Sequence, residues 1–170
     1  MLKLILSLLF IFNYFLMNYL FTISLDNVWF LYFQITPCLF IYAISDILKA
    51  KKENKILWIS IFLCIPFAYL TKDILFASKN FWIVSISLLL LGQLINQSYF
   101  HRMIKKIGLF QAMNISTLLG RFIEELTVNL FIFNSFNGKY FINQILVQII
   151  LIFLINFLFI KTIKKLKIKI

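Results

Sequence analysis

Residues 112–133 read AMNISTLLGRFIEELTVNLFIF, with Arg121, Glu124 and Glu125 in the middle of an otherwise hydrophobic stretch. The stretch is long enough to cross a bilayer, which takes about 20 residues of helix. A charged side chain facing lipid at mid-bilayer is penalised by about 3 kcal/mol on insertion scales. Three such residues this close together therefore require a protein interior or a water-filled cavity. Helical steps of about 100° place Glu125 roughly 40° from Arg121, and Glu124 roughly 60° from it on the other side. All three project into one sector. The reading is a membrane protein with a polar site inside it.

The composition agrees. Of 170 residues, 62% are hydrophobic and 14% charged, whereas a soluble domain is about a quarter charged. Mean hydropathy is +0.96. The expected architecture is all-α: a single integral membrane domain over residues 1–170, a bundle of six transmembrane helices near 3–24, 28–48, 56–74, 81–100, 112–133 and 141–160. Lys72 and Asp73 crowd the end of the third span. Short connections at 25–27 and 136–139 make neighbouring helices antiparallel.

The net charge of +11 does not point to nucleic acid, because the basic residues fall in short runs between apolar spans. With the N-terminus inside, the cytoplasmic segments carry Lys3, Lys49, Lys51, Lys52, Lys55, Arg102, Lys105, Lys106, Lys161, Lys164, Lys165, Lys167 and Lys169. The outer loops carry only Lys72, Lys79 and Lys139. The positive-inside rule then puts both termini in the cytoplasm. Lys3 and the apolar run after it could open a signal peptide. No small-x-small cleavage pattern follows, however, and the run continues too far, so a transmembrane helix is the better reading. The lysines from Lys161 to Lys169 suit an anchor to anionic inner-leaflet lipid.

Several further polar residues fall inside or beside the spans. Asp46 ends the second span just before the Lys49–Lys55 cluster, where it is either an interfacial carboxylate balancing lysines or a residue of an inward-facing gate. Pro37 and Pro66 each remove a backbone hydrogen bond and favour a kink. Gln93, Asn96 and Gln97 share one helical face, fit either for interhelical hydrogen bonding or for lining a cavity. In the fifth span Arg121 can neutralise one glutamate, leaving the other to hold a proton or a ligand; the alternative is a purely structural Arg–Glu clamp. His101 beside Arg102 reads as a headgroup contact, and Cys38 and Cys64 as small packing residues. No nucleophile, metal, phosphate-loop or dinucleotide motif is visible. Neither an enzyme nor a cofactor is expected.

Two of these stretches resemble a known family. Leu91-Gly92-Gln93-Leu94-Ile95-Asn96, followed by Phe100-His101-Arg102, resembles the fourth-helix signature of the VUT family of queuosine precursor transporters, roughly (S/G)-Q-x-x-D and then F-x-R. Ser116-Thr117-Leu118-Leu119-Gly120-Arg121-Phe122-Ile123-Glu124 is similar to its fifth-helix signature S-T-L-x-G-x-x-x-D, and Tyr42 to Ile47 to its F-x-x-(S/T)-D-(I/L). Asn96 stands where the family has Asp, and Glu124 replaces an Asp. Arg121 occupies a position usually neutral or amide-bearing. The last span has no lysine, Gln144 and Gln148 being its nearest polar candidates.

The resemblance implies a secondary transporter that imports a deazaguanine-type base or queuine across a bacterial inner membrane, coupled to a proton or another ion. Its partners would be that small purine-like molecule and membrane lipid. It implies substrate binding by Glu124, which would take the N–H edge of the base, with Gln93 and Asn96 orienting it. Asp46 or Glu125 would carry the coupling proton, and Arg121 would serve as the charge partner. Two other functions fit a small helical membrane protein: a substrate-capture subunit of an energy-coupling-factor importer, and a non-transport scaffold. Residues 3–24 contain no Ala or Gly of the kind that docks the energising partner, which counts against the capture subunit.

Overall fold

A backbone in hydrocarbon has no water to bond, so each of its N–H and C=O groups must be paired within the segment. Helices do this, and the computed structural model, which describes residues 2–24, 28–75, 81–128, 130 and 138–165, is helical throughout. In chain order the helices are α1 (Leu2–Ser24), α2 (Val28–Ala50), α3 (Asn54–Leu70), α4 (Lys72–Leu75), α5 (Phe81–Ile107), α6 (Leu109–Thr127) and α7 (Gly138–Lys165). No strand occurs among the described residues. Helices Leu2–Thr22, Phe81–Ile107 and Phe141–Lys165 are long and apolar enough to cross a membrane.

The helix ends differ from the hydropathic ends in an informative way. The third apolar stretch, read as 56–74, is two helices: α3 ends at Leu70, and α4 makes one turn that begins at Lys72. In the other direction, α5 runs on past Phe100 through His101, Arg102, Lys105 and Lys106. It stops where Gly108 takes φ +81°, a conformation costly for a residue with a side chain. Likewise α7 continues through Lys161, Lys164 and Lys165. The fifth stretch, read as 112–133, starts earlier, at Leu109; its end beyond Leu130 lies outside the described residues, as do the connection at 25–27 and the first half of that at 136–139.

The chain divides into two compact units, Met1–Leu90 and Leu91–Ile170. In the first, α1 packs on α2 and α3. Its buried positions Leu6, Phe10, Tyr14 and Asn18 recur every fourth residue, one stripe of a helix. Leu57, Ser60, Ile61, Cys64 and Ala68 form the stripe of α3. The C-terminal half of α2 is buried all round from Ile41 to Lys49. Cys38 and Cys64 are buried and not joined in a disulfide, the latter donating to the Ser60 carbonyl at 3.2 Å.

Polar side chains pin these helices together. Ser60 Oγ donates to Ile56 O at 2.8 Å, so Ser7 is the donor in the 2.6 Å contact between Ser7 and Ser60. A second chain joins α1 to the start of α5. Tyr14 O–H donates to Ser85 Oγ at 3.2 Å, Ser85 O–H to Asn18 Oδ1 at 2.6 Å, and Asn18 Nδ2 to Tyr14 O at 2.8 Å. Removing the central hydroxyl with Ser85→Ala strands a donor and an acceptor. Interhelical hydrogen bonds in membranes contribute about 0.6–1.7 kcal/mol. We expect Ser85→Ala to lower stability by about 1 kcal/mol, read as a drop of about 2–4 °C in the thermal midpoint of the detergent-solubilised protein.

The surface of the chain is apolar as well as its core. Leu4, Phe12, Phe62, Leu70, Ile150 and Phe157 are all at least half exposed, while Asp46, Lys49, Gln93, Asn96, Glu124 and Gln148 are buried. Large apolar surface outside and amides and charges inside is stable only where the surrounding solvent is itself apolar.

Candidate functional site

Helix α6 carries the charged cluster, and its register explains the placement. Ala112, Met113, Ser116, Thr117, Gly120, Arg121, Glu124 and Glu125 recur at a spacing of four and are all buried. One face of α6 is thus small and polar at its start and charged at its end. Within the Leu91–Ile170 unit α6 packs on α7, with Glu125 at the edge of that face and Asn114 beside it meeting α7 side chains. The two helices run antiparallel: the ring of Phe110 meets that of Phe153 and the ring of Phe122 meets that of Phe141, in opposite chain order, with centroids 6.0 and 5.6 Å apart. The buried stripe of α7 includes Phe141, Gln144, Gln148, Ile152, Ile155 and Asn156.

Arg121 uses both prongs of its guanidinium. Nη1 donates to Glu124 Oε2, and Nη2 donates to Glu125 Oε1. The sequence left open whether Arg121 neutralises one glutamate and frees the other or forms a structural Arg–Glu clamp; in the structure Arg121 reaches both acids. The planar fork accounts for this, since partners at i+3 and i+4 flank the arginine on its two sides. Gln148 Nε2 from α7 donates to Glu125 Oε1 at 3.0 Å, so that oxygen accepts from two donors. All four side chains are buried.

This layer sets one guanidinium against two carboxylates. Charges held away from water are costly unless they are paired and hydrogen-bonded, and carboxylates are the groups that accept a proton, a cation or the N–H donors of a ligand.

The other candidates fall around this centre or apart from it. Asn96 on α5 is fully buried and donates from Nδ2 to Ser116 Oγ on α6 at 3.2 Å; Ser116 O–H in turn donates to Met113 O at 3.3 Å. Gln93, one turn earlier on α5, is also fully buried, while Gln97 is only partly so. Asp46 belongs to the Met1–Leu90 unit. There its Oδ1 accepts from Lys49 Nζ at 3.1 Å, and neither side chain is exposed. Lys49, read from sequence as an inner-loop charge, is thus the buried partner of Asp46. His101 is exposed and packs edge-on against Phe100.

Sequence reasoning did not pair Asn114 with Asn156, yet Asn156 Nδ2 donates to Asn114 Oδ1 at 2.8 Å between α7 and α6. The signal was present: Asn114 lies seven residues before Arg121, and Asn156 eight after Gln148, each on the same stripe of its helix. An apolar groove of about 350 Å³ lined by Ile11, Phe15, Phe67 and Thr71 lies between α1 and α3, without a charged group on its wall. Among the described residues no cluster of His, Cys, Asp and Glu could hold a metal ion.

Compared with protein-family models, curated proteins and solved structures, the chain matches none of them.

Proposed function

We propose that this chain is a secondary transporter of the VUT type, importing a queuosine precursor of the deazaguanine class across a bacterial inner membrane with a coupled proton or other ion. In this reading it is a six-span bundle with both termini in the cytoplasm, the orientation favoured by the Lys/Arg asymmetry between its loops. One observation carries the proposal: a buried face of α6 holds two carboxylates against a single guanidinium. A guanine-like edge offers adjacent N–H donors that a carboxylate accepts as a pair. Glu124 is the acceptor for that edge, Gln93 and Asn96 orient the ring, and Glu125 or Asp46 takes the coupling proton. No catalytic step is assigned.

The test is queuosine content of tRNA in cells that cannot synthesise it, with and without this gene, while single precursors are fed. Modification that depends on the gene is expected with at least one deazaguanine or with queuine. No modification with any of them sinks the transporter. A second reading, a membrane scaffold, is favoured by the closed form of the clamp, in which Arg121 contacts both acids. It predicts no precursor dependence at all.

A further inference from the structure

The amide of Gln148 is oriented by its neighbour. An ionised carboxylate only accepts hydrogen bonds, so the side that Gln148 turns to Glu125 must be Nε2, as observed at 3.0 Å. Its carbonyl oxygen is then directed away from Glu125. That oxygen is fully buried and has no hydrogen-bond partner among the described residues. A buried carbonyl without a donor is rare, and each instance calls for an explanation. The missing group is a donor, and it is missing beside the carboxylate of Glu125.

We propose that Gln148 is a substrate-contacting residue, its Oε1 accepting an N–H from the amine-bearing edge of the bound base. This rests on the carrier reading above and extends it from α5 and α6 to α7. The class of ligand follows from the chemistry: a planar heterocycle with an exocyclic amine and an adjacent ring N–H, whose donors are shared between the α6 carboxylates and the Gln148 carbonyl. A base lacking the amine leaves that oxygen stranded again. Gln148 therefore discriminates between the two, and it also steadies Glu125 through its amide nitrogen.

The experiment compares two probes on the purified, detergent-solubilised chain: a 7-deazaguanine and the same ring without its 2-amino group. The readout is the ratio of their dissociation constants within one preparation, which does not depend on how much of the protein is folded. Wild type is expected to prefer the amine-bearing base by roughly tenfold or more, the range of a buried hydrogen bond. Gln148→Met keeps the length of the side chain without an acceptor and should bring the ratio close to one; Gln148→Leu gives a second variant of different shape. A preference that persists in both variants overturns the role of Gln148 and leaves the carrier reading standing, with water meeting the carbonyl. Equal binding of the two probes by wild type overturns it as well. If wild type binds neither probe, the carrier reading itself falls, and the role of Gln148 with it.

Discussion

Replacing Arg121 with alanine is expected to cost about 3–5 kcal/mol of stability, the range for breaking a buried ion pair. The cause is the pair it leaves behind. Glu124 and Glu125 are adjacent on α6, both buried, and Arg121 donates to each. Without the guanidinium two carboxylates share a desolvated layer, with Gln148 still donating to only one of them. The folded state must then bind protons or open to water. Arg121→Lys should recover only part of the loss, because an ammonium cannot present two parallel N–H bonds to acids on its two sides. The measurement is the thermal midpoint in detergent for Arg121→Ala, Glu125→Gln and the double variant. A positive coupling is expected: Arg121→Ala should cost markedly less when Glu125→Gln has already removed one acid. Additive effects would mean that the three side chains do not act as a unit.

The helical class and the position of this cluster were legible in the sequence because both rest on rules one helix obeys by itself. Insertion cost forces Arg121, Glu124 and Glu125 inward wherever the neighbours stand, and the 100° step puts them in one sector. In the structure Ser116, Thr117 and Gly120 lie on the same buried side of α6. Helix ends were less legible, because hydropathy marks where the solvent changes and not where the backbone stops coiling. Arg102, Lys105 and Lys106 are good helix formers, so α5 continues beyond its apolar part until Gly108. The spacing marked Asn114 and Asn156 as facing inward, but which residues pair between helices was not legible. Asn114 meets Asn156, and Gln148 meets Glu125, only in one register of α6 against α7, which is set by packing such as that of Phe110 on Phe153. Lys49 misled for a related reason: near a span boundary a lysine reads as an inner-loop charge, until the helices around α2 close over it.

Glu124→Gln is expected to separate transport from stability. The substitution conserves shape and leaves Arg121 paired with Glu125. A neutral amide is cheaper to bury than a carboxylate, which offsets the weakened bond to Arg121, and the thermal midpoint should move by no more than a few degrees. Uptake should respond very differently. Hydrogen bonds to a charged acceptor contribute about 1.5–3 kcal/mol, so losing the carboxylate should cut precursor uptake roughly tenfold to a hundredfold or more. Gln93→Ala added to Glu124→Gln removes a buried amide on α5 as well and should abolish uptake. The measurement is gene-dependent tRNA queuosine at limiting precursor, set against the amount of folded protein in the membrane. Uptake that survives the double variant at full protein level would detach both residues from recognition. A fall in folded protein to match the fall in uptake would return Glu124 to a structural clamp, in which Arg121 is the residue that matters and no ligand is involved.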